Sequence, residues 1–267
     1  AATYQPGALM ATTTYYLVVT DYCGVITTNE VTITVYDEFV ASIAADQTIC
    51  YNTVPAELTS TVSGGMGEYT YQWYEGETAI EGATAATYQP GALMATTTYY
   101  LVVTDYCGVI TTNEVTITVY EDLAATAAAD QTICYGTAPE PIVATATGGA
   151  GNYTYQWQVE GEDGFINIEN ASDATYQPET IYAATNYQCV VTDDCGTVTT
   201  NVVNITMYEE FLATAAADQV ICYGTTPEPI VATATGGLGN YTYQWQIEGE
   251  DGFINIENAS DATYQPE

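Results

Sequence analysis

Apolar and polar residues alternate along most of this chain with a period of two. Tyr69, Tyr71 and Trp73 fall on one face of a run whose other face carries Thr70 and Gln72. Tyr99, Leu101 and Val103 alternate with Tyr100, Val102 and Thr104, and Val115, Ile117 and Val119 with Glu114, Thr116 and Thr118. That period belongs to half-buried β-strands, and the Thr, Val, Tyr and Ile that dominate the runs suit a pleated surface. Gly-Gly, Asp-x-Cys-Gly and Gln-Pro clusters punctuate them as turns. No capped amphipathic stretch long enough for a helix interrupts the pattern.

The pattern repeats. Residues 1–36 recur unchanged at 85–120, and residues 139–179 recur at 227–267 with Ala150/Leu238 and Val159/Ile247 as the differences. An Ile-Cys-Tyr motif at Cys50, Cys134 and Cys222 is followed at a constant spacing by Trp73, Trp157 and Trp245. The acidic pairs Asp37/Glu38, Glu121/Asp122 and Glu209/Glu210 sit between an alternating run and an Ala-rich start, and read as junctions. The chain then holds part of a repeat at 1–37, whole repeats at 38–121 and 122–209, and part of another at 210–267. Ala1 falls inside a repeat, as in a segment of something longer. Each unit has the size of an immunoglobulin domain, and about seven short strands apiece predict an all-β array of tandem Ig-like Greek-key sandwiches. Glu162-Asp163-Gly164-Phe165 lengthens a loop or hairpin in the second whole repeat.

Charge narrows the function. There are 34 Asp and Glu and no Lys, Arg or His, a net charge of -34. No P-loop, Ser-His-Asp triad or Cys/His zinc site can be assembled from this composition. Nucleic acid is excluded as a partner, because nothing replaces counterions on phosphate. The content of apolar residues (47%) is too high for a disordered acidic tail. No apolar run is long enough to insert into a membrane as a helix. An enzyme would have to work with carboxylate pairs, and Glu160, Glu162 and Asp163 read instead as a solvated hairpin tip. The chain is expected not to be an enzyme.

Two candidate sites remain. Aligned by repeat, Cys50 goes with Cys107 and Cys134 with Cys195, so these are expected to be disulfides, which implies an oxidising, extracellular compartment. Cys189 stands where the sister repeat has Leu101, and is expected to be a buried free thiol; a Cys134–Cys189 pair is the alternative. The junction carboxylates Asp37, Glu38, Glu121, Asp122, Glu209 and Glu210 could hold calcium through hard oxygen ligands. The alternative is an ordinary solvated acidic linker.

Thr-Ile-Cys-Tyr-x-Thr, Gly-Gly-x-Gly-x-Tyr-Thr-Tyr-Gln-Trp, Ala-Thr-Tyr-Gln-Pro, Thr-x-Tyr-Tyr-x-Val-Val-Thr-Asp-x-Cys-Gly and Thr-Asn-x-Val-x-Ile-Thr-Val-Tyr follow one another in order. This succession resembles the Ig-like/PKD-like repeats of giant Bacteroidetes cell-surface adhesins, among them the SprB-like gliding-motility adhesins. The resemblance implies export by type IX secretion, a place at the cell surface, and a role in adhesion or gliding. Relatives of that kind carry some Lys and Arg, and this chain has none. The expected function is a structural stalk of an extracellular adhesin or surface filament. The alternatives are a carbohydrate-binding accessory array of a secreted polysaccharide-degrading enzyme, or a self-associating filament or surface-layer subunit. Expected partners are neighbouring repeats, surface polysaccharide or other copies of the filament.

Overall fold

The computed structural model describes residues 2–250 and 252–266. All regular structure among them is β. The chain divides into two compact units, Ala1–Asp122 and Leu123–Glu267. The first unit opens with β1 (Thr13–Tyr15), β2 (Val18–Asp21), β3 (Gly24–Thr27) and β4 (Val31–Ile33). Its whole repeat follows: β5 (Val40–Ile43), β6 (Gln47–Ile49), β7 (Leu58–Ser63), β8 (Thr70–Glu75), β9 (Thr78–Ala79), β10 (Thr87–Tyr88), β11 (Thr97–Asp105), β12 (Gly108–Thr111) and β13 (Val115–Val119).

The second unit holds the other whole repeat. Its strands are β14 (Ala124–Ala127), β15 (Gln131–Ile133), β16 (Ile142–Thr147), β17 (Thr154–Gly161), β18 (Gly164–Asn167), β19 (Thr175–Tyr176), β20 (Thr185–Asp193), β21 (Gly196–Thr199) and β22 (Val203–Met207). It closes with β23 (Leu212–Ala215), β24 (Ile230–Thr235), β25 (Gln246–Gly249), β26 (Gly252–Asn255) and β27 (Thr263–Tyr264).

Each whole repeat is a two-sheet sandwich. In the first, β10-β7-β5 form one sheet and β6-β13-β11-β8-β9 the other, with β12 also on β11. The second repeats this as β14-β16-β19 and β15-β22-β20-β17-β18, with β21 on β20. The alternation decides what fills the space between: Leu58, Trp73, Tyr99, Leu101, Val103, Val115 and Ile117 in one core, and Ile142, Trp157, Tyr187, Cys189, Val191, Val203 and Ile205 in the other. A side chain of this size contributes roughly 1.5–3 kcal/mol when fully buried. The indole N–H, which burial would orphan, donates to a backbone carbonyl in both repeats: Trp73 to Ala85 (3.0 Å) and Trp157 to Asp173 (3.0 Å).

Each whole repeat has nine strands rather than the expected seven, because two strands are interrupted. The first strand changes sheets: β5 pairs with β7, whereas β6 pairs in parallel with β13. Asp46 sits in the crossing, and its Oδ1 accepts the Thr116 N–H at 2.8 Å. Asp130 does the same for Asn204, also at 2.8 Å. The last strand breaks at Thr112, whose hydroxyl accepts the Leu101 N–H (3.0 Å) while its own N–H donates to the Leu101 carbonyl (2.9 Å). Thr200 holds Cys189 the same way. The longer hairpin of the second repeat is β17–β18, in register from Gln158↔Asn167 to Gly161↔Gly164.

Residues 1–36 have the sequence of 85–120 but a different environment. Leu17 is 47% exposed and Val31 57%, whereas their counterparts Leu101 and Val115 are 0% exposed. A concavity is lined by Tyr4, Tyr15, Leu17, Val31 and Ile33, and the counterparts of the last four, Tyr99, Leu101, Val115 and Ile117, are buried in the core of the first whole repeat. Leu101→Ala in the whole repeat should cost about 2–5 kcal/mol, read as a lowered urea midpoint at unchanged slope. Leu17→Ala, the same substitution on an exposed copy, should cost under about 1 kcal/mol.

Candidate functional site

The Asp-x-Cys-Gly turns and the Gly-Gly loops meet at one pole of each whole repeat. Asp105 ends β11, and its Oδ1 accepts the N–H groups of Cys107 (2.7 Å) and Gly108 (3.0 Å), closing the β11–β12 hairpin. Its Oδ2 accepts the Met66 N–H at 2.8 Å from the Gly64-Gly65 loop. Asp193 is arranged alike, accepting from Cys195 (2.8 Å), Gly196 (3.2 Å) and Ala150 (2.6 Å). The loop can come so close because Gly65 has φ +61° and no Cβ; an added one would fall on the Asp105 carboxylate. Tyr69 and Tyr153 donate their hydroxyls to Gly64 and Gly148, each at 2.6 Å, fixing the same loop from below.

The junction before the first whole repeat joins this pole. The Gly65 N–H donates to the Asp37 carbonyl at 2.9 Å, and Gly237 to that of Glu209 at 2.9 Å. The side chains of Asp37, Glu38, Glu121, Asp122, Glu209 and Glu210 are all exposed. Among the described residues no three His, Cys, Asp or Glu side chains converge on a point that could hold a metal ion. The structure thus uses the junction backbone and leaves its carboxylates in water.

The expected Cys50–Cys107 and Cys134–Cys195 bonds require correction. Cys107 and Cys134 are free, exposed thiols, and Cys50 and Cys195 are disulfide-bonded. Strand register explains why neither repeat closes such a bond on itself. Ile49 pairs with Val119, and Ile117 with Thr97 at the start of β11. Cys50 therefore lies beyond one end of β11 and Cys107 beyond the other. Eight steps of about 3.3 Å separate the ends of that strand by about 26 Å, whereas a disulfide needs Cα atoms within roughly 7 Å. The same holds for Cys134 and Cys195 on either side of β20. Cys134 and Cys189 are both free, so the alternative pair is not formed either.

Cys189 is a fully buried free thiol opposite Trp157, in the position Leu101 takes opposite Trp73. Burial pushes its pKa up. The thiol is held protonated and behaves as a small apolar group.

Tyrosine supplies the remaining perturbed groups. Burial, then the negative charge of Glu75, pushes Tyr99 up to about 12, and burial with Glu179 nearby raises Tyr176. Tyr187 is raised by burial, by Tyr176 and by Glu179. Sequence reasoning placed Tyr99 in the core by alternation; the proximity of Glu75 needed the β8–β11 register, where Tyr99 pairs with Glu75.

Two outcomes follow. Asp105→Ala removes the carboxylate that accepts from three N–H groups and should destabilise its repeat by about 1–3 kcal/mol, with amide exchange accelerating first at Met66, Cys107 and Gly108. A tyrosine pKa raised in the folded state means that the native form keeps a proton the unfolded chain releases near pH 10. The stability this contributes is whole below about pH 10 and is lost as pH rises toward about 12. Urea midpoints should fall steeply over that interval, and Tyr99→Phe should flatten the fall while lowering the midpoint little at pH 8.

Several solved structures are similar to the chain. Fibronectin(III)-like modules of CbhA from Clostridium thermocellum share 16% identity, with 63% of this chain and 93% of that one covered and a TM-score of 0.30. The three N-terminal domains of the highly immunogenic outer capsid protein (Hoc) of bacteriophage RB49 share 13%, covering 85% and 80%, with a TM-score of 0.45. The tandem Ig repeats of Dlar share 16%, covering 62% and 97%, with a TM-score of 0.27. No curated protein matches the chain. A family model matches residues 40–121, 123–209 and 212–267, most of the sequence, and the chain belongs to that family, described as a Domain of unknown function (DUF8696).

Proposed function

We propose that this segment is a non-catalytic structural array of Ig-like repeats in an extracellular adhesin or surface filament. One observation carries the reading: many of the polar side chains shared by both whole repeats hold backbone. Gln47 clamps Ala56 with both ends of its amide (3.1 and 2.8 Å), and Gln131 clamps Glu140 likewise (3.0 and 2.9 Å). Gln89 and Gln177 donate to the carbonyls of Pro55 and Pro139. Asp105 and Asp193 are fully engaged with N–H groups, as described above. An array maintained for its fold keeps such groups; a family of binding sites would keep side chains facing outward. The resemblance of the repeat motifs to giant Bacteroidetes adhesins supports a cell-surface setting and a part in adhesion or gliding.

A second reading has one observation in its favour. Tyr74 and Tyr100 are registered across β8 and β11 and stack at 4.8 Å and 5° on the side of the sheet away from Trp73. A flat aromatic face can receive a sugar ring. The corresponding pair in the other repeat is Gln158 and Gln188, joined by a hydrogen bond of 2.7 Å.

Single-molecule pulling on the chain in reducing buffer separates the readings. An array built to carry load should unfold in discrete steps, each releasing about 85 residues, or about 300 Å of contour less the folded length. Featureless extension would overturn the structural reading. Retention on insoluble polysaccharide that Tyr100→Ala abolishes would establish the second.

A further inference from the structure

The outward face of the large sheet in the second whole repeat carries two rows of polar side chains that bond to one another across the strands. Gln158 is in register with Asn167 on β18 and with Gln188 on β20, and Asn186 with Asn204 on β22. Strand parity sets all of them on the side away from Trp157, Cys189, Val203 and Ile205, which fill the core. In one row Gln188 donates to Gln158 at 2.7 Å, and Gln158 to Asn167 at 2.9 Å. In the other Asn204 donates to Asn186 at 2.7 Å, and Asn186 to the Glu160 carboxylate at 2.6 Å. Each of these bonds uses one of an amide's two N–H groups, so every donor in the rows keeps the other, and Asn167 keeps both. The side-chain oxygens of Gln188 and Asn204 are further acceptors, and among the described residues no protein group takes up this capacity. Gln158, Asn186, Gln188 and Asn204 are half-buried along the sheet. Their neighbours orient them in advance, which lowers the cost of ordering them around a ligand.

We propose that this face binds a neutral polysaccharide laid across the strands. An amide offers a donor and an acceptor side by side, the complement of the hydroxyl groups of a sugar. Neighbouring strands lie about 4.8 Å apart, close to the length that one pyranose unit adds to an extended glycan. A glycan crossing β18, β17, β20 and β22 therefore meets a new polar side chain at each unit. Charge selects the class of ligand. At a net charge of -34 the chain repels an anionic glycan and a second copy of itself. A cationic partner would be held by carboxylates, and the rows contain one, Glu160. An apolar partner would bury the amides unpaired, at a cost for each. The first whole repeat lacks the rows: Tyr74 and Tyr100 stand in place of the glutamines, and Thr98 and Thr116 in place of Asn186 and Asn204. The proposal rests on the second reading above in that an outer sheet face takes sugar, but it sets the ligand on the other repeat and holds it by hydrogen bonds instead of stacking.

The test is affinity electrophoresis of the whole chain in native gels cast with hydroxyethylcellulose, xyloglucan or glucomannan, with polygalacturonate as the anionic control. At least one neutral gel should retard the chain relative to a gel without polysaccharide, and polygalacturonate should not. Gln158→Ala combined with Gln188→Ala should weaken the binding about tenfold, the effect of losing two amide contacts. Asn186→Thr combined with Asn204→Thr installs the residues that the first repeat carries there, a pair the fold already accepts, and should weaken it as well. Urea midpoints near that of the parent chain show that both variants fold. Tyr100→Ala should leave this binding in place. Binding lost in Tyr100→Ala but kept by the glutamine variant would support the second reading and overturn this one. Unretarded migration in all three neutral gels would also overturn it, as would retardation that both paired variants retain. A concentration-dependent shift without polysaccharide, removed by the glutamine variant, would assign the face to a second copy and refute the proposal too.

Discussion

A chain with 34 carboxylates and no cationic side chain must satisfy its acids without ion pairs. Much of the polar framework follows from that constraint. Charge-assisted bonds from backbone N–H groups are the strong alternative to a salt bridge. Asp46, Asp105, Asp130 and Asp193 take that route, each at a place where the ladder is broken: a sheet crossing or a hairpin end. Where a break needs both a donor and an acceptor, a neutral amide or hydroxyl is used, as with Gln47, Gln131, Thr112 and Thr200. Among the described residues the buried polar side chains are Thr112 and Thr200, so no carboxylate among them is desolvated inside either core.

The same constraint shows which parts of the fold a sequence can disclose. Alternation placed Trp73, Tyr99, Leu101, Val103, Val115 and Ile117 in the core, because burial on a strand depends on parity alone. The strand breaks at Asp46 and Thr112 were not legible. Each is made by a contact to a residue distant in sequence or across the sheet, and nothing local distinguishes them from other Asp and Thr residues in turns.

The cysteines fall on the same divide. Aligning repeats identifies which cysteines are equivalent, but equivalence carries no information about distance. The parallel pairing of β6 with β13 sends the Ile-Cys-Tyr segment toward the pole where the chain leaves. That pairing places Cys50 far from Cys107, a separation that aligning the repeats cannot reveal. Cys189 was legible for the opposite reason: its alignment with Leu101 fixes its strand face, and burial on a strand follows from that face alone, here opposite Trp157.

What differs between the two whole repeats lies mostly outside this framework. On the face of β11 and β8 turned away from the core, the Tyr74–Tyr100 stack becomes the Gln158–Gln188 amide pair, exchanging one cross-strand contact for another of the same register. The hairpin after the tryptophan is longer in the second repeat, and Glu160 on it accepts a hydrogen bond of 2.6 Å from Asn186. Inside, Leu101 becomes Cys189, a smaller apolar group that keeps its place opposite the indole. The clamps, the Asp-held poles and the tryptophan N–H bonds do not change. The features that hold the backbone are therefore the same in the two repeats, and the differences gather on the outer face, in one hairpin and at one core position.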